Sequence, residues 1–269
     1  MNAKDLMAAG RLSEARAQLT AEVKAAPTDA GKRTLLFQVL AFLGEWEKAE
    51  KHLDLIGTLS PSSSIGVQAY RDAISAEKER RDVVDRKKVP NFLTDAPSYL
   101  DTYFAAWDAL ASGKTGRATE LYKEVDQRRP ATSGSVKGKS FIGFVDIDTF
   151  LSCFLEAIVL DRYVWVPFES LRELVVGLPK TFLDLLWAHA TLVTWEGMNV
   201  ACYLPVCYPV SVTAEDERAK LGRMTDWLSL GGPFCRGVGQ HVFTVGREDI
   251  PLLELGEVTF TRSAGKEQK

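Results

Sequence analysis

The chain has 269 residues, 46% of them apolar and 26% charged, with a formal net charge of −3. This is enough length and apolar content for one or two domains with ample core, and the mildly acidic balance excludes an electrostatic footprint for nucleic acid or an anionic membrane surface. No apolar run reaches the roughly 18 residues of a spanning helix, residues 1–7 lack the core of a signal peptide, and four cysteines in this length are no disulfide scaffold; a cytoplasmic protein with reduced thiols is expected.

Taken in chain order, the first feature is a repeat. Gly10, Leu12, Ala15, Leu19 and Pro27 recur 34 residues later as Gly44, Trp46, Ala49, Leu53 and Pro61, and the frame returns at Gly113, Ala118, Tyr122 and Pro130. In each copy the Gly ends a helix where a left-handed backbone is needed, the small Ala lets two helices approach, and the Pro stops the unit. A 34-residue period with small residues at the helix crossing predicts a tetratricopeptide-like array. A further unit, residues 65–95, follows possible helix caps at Ser62, Ser63 and Ser64. It carries the run Glu77-Lys78-Glu79-Arg80-Arg81-Asp82, whose mixed signs predict a solvated helix face. Tyr99, Tyr103 and Trp107 then fall at i, i+4 and i+8, one stripe of a helix. The stripe serves either the core or a groove for a partner.

Residues 128–140 are rich in Gly, Ser, Arg and Lys and predict a loop, with 133–140 as linker between a domain at 1–132 and one at 141–269. Beyond it the pattern predicts an extended segment at 141–146, a helix over 149–160, a strand from Tyr163 stopped by Pro167, and a short helix over 169–174. A hairpin over 190–204 turns at Glu196-Gly197, and strands follow at 240–245 and 258–261. The fold class expected is α+β in two parts: an N-terminal tetratricopeptide-like α-α superhelix, then a β-rich domain on a small antiparallel sheet or barrel.

Chemistry is sparse. Gly113-Lys114-Thr115 and Gly138-Lys139-Ser140 imitate phosphate loops, but Asp108 and Ser133 stand where the first Gly belongs, and neither stretch lies between a strand and a helix. Cys202 with Cys207, and Cys235 with His241, lack the tight spacing of structural zinc. Three histidines, His52, His189 and His241, are all the chain has, and no Gly-x-Ser-x-Gly elbow exists. Asp146 and Asp148 could share a strand face as a carboxylate pair, or cap a helix from Thr149. With His189 they compose the enzymatic alternative, a small hydrolase or ligand-binding protein. Leu221-Gly222-Arg223-Met224-Thr225-Asp226-Trp227 suggests a polar lock in which Arg223 pairs with Asp226 and Trp227 anchors the loop; a partner contact is the other reading.

An ordered set of motifs carries a resemblance: Tyr163-Val164-Trp165-Val166-Pro167-Phe168-Glu169, Asp184-Leu185-Leu186-Trp187, Leu204-Pro205-Val206-Cys207-Tyr208-Pro209, Gly222 to Trp227, Arg236-Gly237-Val238-Gly239-Gln240, and Glu248 to Glu254. In this order and spacing the chain resembles the ImpE family, also called TagJ, accessory proteins of the bacterial type VI secretion system. The resemblance implies a non-enzymatic cytoplasmic protein, and on the residue spacing above no cofactor and no metal is expected. It implies binding to the N-terminal helix of the small contractile-sheath subunit, and through it a link to the ClpV ATPase that recycles contracted sheath. Candidate partner-binding residues are Tyr99, Tyr103, Trp107 and Trp165. Pro167, Phe168, Asp184, Trp187, Pro205, Arg223, Thr225, Asp226, Trp227, Gly237 and Gln240 are expected to be structural family positions. The family tends to place Arg-Pro after Leu-Leu-Trp, where this chain has Ala188-His189.

Overall fold

The computed structural model describes residues 1–60, 62 and 64–262. Pro61, expected to close a repeat, and Ser63, expected to cap a helix, lie outside them. Helices come first: α1 (Ala3–Ala8), α2 (Leu12–Ala25), α3 (Ala30–Phe42), α4 (Trp46–Leu59), α5 (Ser64–Val84), α6 (Leu100–Ala111) and α7 (Thr115–Arg128). The repeat frame falls on equivalent places in them. Gly10, Gly44 and Gly113 follow α1, α3 and α6 with φ of +77°, +67° and +71°, the left-handed ending that favours Gly. Ala15, Ala49 and Ala118 are fully buried in α2, α4 and α7, the helices that pack on α1, α3 and α6 respectively.

Strands follow. After β1 (Asn91–Phe92) come β2 (Ser133–Val136), β3 (Lys139–Ile142), β4 (Phe144–Asp146), β5 (Phe154–Val159), β6 (Arg162–Pro167), β7 (Leu171–Val176), β8 (Trp187–Thr194) and β9 (Asn199–Pro205). The short helix α8 (Glu217–Lys220) precedes β10 (Thr225–Gly231), β11 (Phe234–Gly239), β12 (Val242–Val245), β13 (Glu248–Pro251) and β14 (Glu257–Thr261). Nine of them form one sheet in the order β1-β6-β5-β9-β8-β7-β14-β2-β3, while β13-β12-β4 and β10-β11 make smaller sheets. The large sheet is antiparallel apart from β1, which runs parallel to β6.

Two apolar cores sit on opposite faces of the sheet. Phe154, Ile158, Tyr163 and Trp165 face the helices and join one core with Trp46, Tyr99 and Tyr103. Leu155, Ala157, Val164 and Val166, from the same two strands, face Phe144, Phe168 and Phe243 on the other side. Burial on both faces explains one departure from expectation. Residues 149–160 form a turn and then β5, not a helix, because a continuous apolar run that is buried on both sides satisfies either geometry and the flanking strands decide it. Residues 168–170 make one 3₁₀ turn and 171–176 are β7, where a helix was expected. The predicted linker is also ordered: Ser133–Val136 and Lys139–Ile142 pair as a hairpin at the sheet's end, turning at Lys137 and Gly138, both with positive φ. The sheet itself is large rather than small. The helical part contributes to it directly, through β1 and through α5, which lies against β6.

Candidate functional site

The densest polar arrangement in the molecule lies between α5 and the sheet, and it grows from residues that looked like surface. On α5, Ala73, Ile74, Ala76, Val83 and the charged pair Glu77 and Arg80 are all buried, each of the pair only 6% exposed. Their i, i+3 spacing puts both charges on the apolar face, so the solvated-face expectation fails for these two. From the sheet, Glu156 on β5 meets Arg80: Arg80 Nε donates to Glu156 Oε2 at 3.0 Å, and Nη2 donates to Glu156 Oε1. Nη1 reaches Glu77 at 3.3 Å and Nη2 also donates to the Cys207 carbonyl at 2.7 Å.

The chain of partners continues through His241, which follows β11. Its Nδ1 lies 2.8 Å from Asp146 Oδ2 and its Nε2 lies 2.8 Å from Glu156 Oε1. Two carboxylates on two ring nitrogens require both to donate, so the ring is an imidazolium. Tyr163 donates to Glu156 at 2.6 Å and Tyr208 to Asp146 at 2.8 Å, while Trp165 Nε1 donates to the Tyr163 hydroxyl at 2.7 Å and Trp187 Nε1 to Glu77 at 3.0 Å.

Burial works against each charge, and partners decide the outcome. For Glu156, Arg80 and His241 outweigh burial and hold the carboxyl down at about 2. For His241, Asp146 and Glu156 outweigh burial and lift the imidazolium to about 9. Asp146 is shifted upward by its burial, against the pull of His241. These shifts fix a pH dependence of stability. His241 is raised above its ordinary 6.5, so its contribution is complete below about pH 6.5 and is lost as pH climbs through 9. Glu156 is depressed below 4.5, so its contribution is complete above 4.5 and is lost as pH falls through 2. The thermal midpoint is therefore expected to decline from pH 6.5 toward pH 9, and a His241→Gln variant should lack that decline. A melting series across this range checks it; identical slopes for the two proteins would refute the assignment.

A second buried pair lies beside the first. Asp148, fully buried, accepts from Arg236 Nε and from the Gly237 amide, both at 2.8 Å. The Arg236 guanidinium sits 5.1 Å from the rings of Trp107 and Phe150. Asp148 also accepts from the Phe150 amide, and Asp146 from the Asp148 amide, so the two acids shape a turn rather than cap a helix.

The enzymatic constellation does not assemble. His189 is exposed on β8, its ring tilted against Tyr203 with centroids 4.7 Å apart and its Nε2 3.8 Å from Asp184, whereas Asp146 and Asp148 are sealed in the core with partners on their oxygens. The histidine that meets Asp146 is His241, and both its ring nitrogens are taken. Thiol positions are equally enclosed: Cys202 and Cys207 are buried, and burial pushes both thiols up to about 12.

The aromatic stripe is also core. Tyr99, Tyr103, Trp107 and Trp165 are 1%, 0%, 8% and 0% exposed, so they face the sheet and cannot line an open groove. Tyr103 donates to the Thr149 carbonyl at 3.0 Å, and Tyr99 to Glu169 at 2.6 Å. Trp165 stacks on Phe154 at 4.7 Å. The other sequence positions lock elements together. Trp187 stacks between Trp46 and Tyr70, 6.1 Å from each. Asp184 accepts from the Thr181 and Lys180 amides at 2.9 and 2.7 Å. Pro167 and Pro205 end β6 and β9 opposite Phe154 and Trp187, and Phe168 is buried against Phe144. Gln240 bridges the Gly222 carbonyl and the Leu253 amide. A Cβ on Gly237 would lie 2.1 Å from the Tyr208 ring, so only Gly fits there. The Arg223–Asp226 lock is replaced by another: Arg223 donates across the molecule to the Ala8 carbonyl at 2.8 Å, Thr225 donates to the Gln240 carbonyl, and Asp226 is exposed and accepts from the Trp227 amide.

Sequence reading missed Glu77, Arg80 and Glu156. The signal was available: Ala73, Ile74, Ala76 and Val83 outline a buried stripe that includes 77 and 80, and Glu156 interrupts an otherwise apolar run. Charges inside apolar periodicity are buried with partners far more often than they are left alone.

Comparison with known proteins places this architecture. The ImpE protein family matches at residues 138–259, from the β2–β3 turn to β14. The type VI secretion system accessory component TagJ of Pseudomonas aeruginosa is 35% identical over 260 residues, covering 97% of this chain and 91% of that protein. A crystal structure of a Vibrio parahaemolyticus protein superposes with a TM-score of 0.84 at 22% identity, over 97% of this chain and 98% of the other, a likeness of fold. With a relative this similar along almost its whole length, helices and sheet together, the chain belongs to the ImpE/TagJ family.

Proposed function

We propose that this chain is a cytoplasmic accessory protein of a bacterial type VI secretion system that acts by docking rather than by catalysis. It holds the N-terminal helix of the small contractile-sheath subunit and so modulates recycling of the sheath by the ClpV ATPase, with no direct contact to the ATPase required. The observation that carries the reading is the relation to TagJ, named as an accessory component of that system, along 97% of the chain. Two further features support it. Asp146, Glu156 and His241 satisfy one another and line no cavity with room for a ligand, while Glu77 and Arg80 border a cleft of about 430 Å³ beside Pro209 and Val212. The helical part repeats its Gly and Ala positions after 34 and then 69 residues, in keeping with a tetratricopeptide-like array, a class of scaffold used for binding peptides and helices. No helix of the described residues is long and apolar enough to cross a membrane.

The test is a titration of the full chain with a labelled peptide corresponding to the N-terminal helix of the small sheath subunit from the same secretion system. Saturable binding in the micromolar range or tighter is expected. Absence of binding to the peptide and to the intact subunit would overturn the proposal.

A further inference from the structure

The face of the large sheet that the helices cover is only half covered. Paired residues of neighbouring strands share a face, so the registers trace it. Ile158 on β5 pairs with Tyr203 on β9, His189 on β8 pairs with the same Tyr203, Thr191 pairs with Ala201, Val175 on β7 with Thr191, and Glu257 on β14 with Val175. Phe154 and Ile158 carry the helical layer. Beyond β9 that layer covers only the Trp187 end of β8, through Trp46 and Tyr70, and otherwise stops at α5. Ala201 and Glu257 are exposed, and Thr191, Val175 and Glu173 are half-buried. A cleft of about 490 Å³ runs here, with Val175, Thr191 and Ala201 as floor and Ala69 and Asp72 of α5 as wall. Leu160, 80% exposed, stands at its edge.

The chemistry of the cleft selects its occupant. Its floor at Val175, Thr191 and Ala201 is short side chains, which let a helix axis approach the sheet closely, and the His189 and Tyr203 rings stand at one end of it. Asp72 on the α5 wall and His189 line the cleft, and the registers put Glu173 and Glu257 on the same sheet face just beyond Val175, diagonal to each other across β7 and β14. None of the three acids is in an ion pair among the described residues. Acidic borders on both sides of an apolar floor are complementary to an amphipathic helix with a narrow apolar face and basic residues along both flanks.

We propose that this cleft is the docking site for such a helix, which would lie beside α5 and continue the helical layer across the sheet. The proposal rests on the adaptor reading above and gives it a location. Beyond Trp187, which Trp46 and Tyr70 cover, the part of β8 from His189 to Thr194 has room for a helix of about 12 residues laid along it. The partner's basic flanks would face Asp72 on one side and Glu173 and Glu257 on the other. Recognition is then salt-dependent as well as apolar.

The test uses the full chain, the sheath-subunit helix peptide and two variants. Ala201→Arg puts a long cation on the floor, and Glu173→Lys with Glu257→Lys reverses the rim. These positions contribute little to the core, so both variants should melt within a few degrees of the parent. Each is expected to weaken the peptide by tenfold or more, and the rim variant should flatten the dependence of affinity on salt. Parental affinity in folded variants would overturn the location while leaving the adaptor reading standing. No binding by the parent chain would overturn both. Should Ala201→Arg fail to fold, the rim variant alone decides.

Discussion

Replacing Arg80 by methionine is expected to destabilise the protein by about 3–5 kcal/mol, the range for removing one member of a buried ion pair. The guanidinium is the cation between Glu77 and Glu156, and it also satisfies the Cys207 carbonyl. Without it, Glu77, Glu156 and Asp146 face a single buried cation in this cluster, the His241 imidazolium. The chain must then protonate a carboxylate, admit water or separate α5 from the sheet. Methionine fills much of the volume, so the loss is one of charge rather than packing. Urea unfolding of Arg80→Met, of Glu156→Gln and of the double variant separates the two. Removing Glu156 together with Arg80 deletes the stranded charge, so the double variant is expected to be clearly more stable than the sum of the single losses implies. Strict additivity would mean that the two residues do not act as a unit.

The same cluster shows how far sequence reading reached. Helical order in the first half was legible, because Gly10, Gly44 and Gly113 and Ala15, Ala49 and Ala118 have positions dictated by local backbone and by helix crossing, and neither depends on distant residues. The hairpin at 190–204 was legible for the same reason, its alternation and its Glu196-Gly197 turn being local signals. Elements whose identity is settled by what covers them were not. β5 is buried on both faces, and its run of apolar residues carries no period that could distinguish strand from helix. The linker composition of 133–140 hid a hairpin, since Gly, Ser and Lys also suit a tight turn at a sheet edge.

The stripe of Tyr99, Tyr103 and Trp107 had the right face and the wrong neighbour. Periodicity identifies an apolar side of a helix; it does not say whether the sheet or a partner lies against it. Likewise Glu77 and Arg80 were readable as a charged pair on one face, while Glu156 and His241, 76 or more residues away in sequence, could be joined to them only by the fold. The family motifs were recognisable in order, but their roles needed contacts. Arg223 is the clearest example, since its partner is the end of α1 and not the neighbouring Asp226.

Trp165→Ala tests whether the joint between helices and sheet docks a partner or only holds the molecule together. The side chain is fully buried, touches Phe104 from α6 as well as Phe150 and Phe154, and anchors the Tyr163–Glu156 end of the charge network. Truncation leaves a large void with walls in two parts of the chain, so a loss of about 3–5 kcal/mol is expected, a fall in melting temperature of roughly 10 °C for a protein of this size. The void cannot collapse easily, because α6 is held by Tyr103 to the Thr149 carbonyl and β6 by its ladder to β5. Binding should respond differently. At a temperature where the variant remains folded by circular dichroism, its affinity for the sheath-subunit helix is expected to stay within about threefold of the parent, since a residue with no exposed surface has nothing to offer a partner directly. A folded Trp165→Ala protein that has lost the helix altogether would show that the pose of α5 and α6 on the sheet sets the docking surface. Because α5 is the wall of the cleft, a partial loss that is restored by lowering the temperature would locate the coupling in that wall.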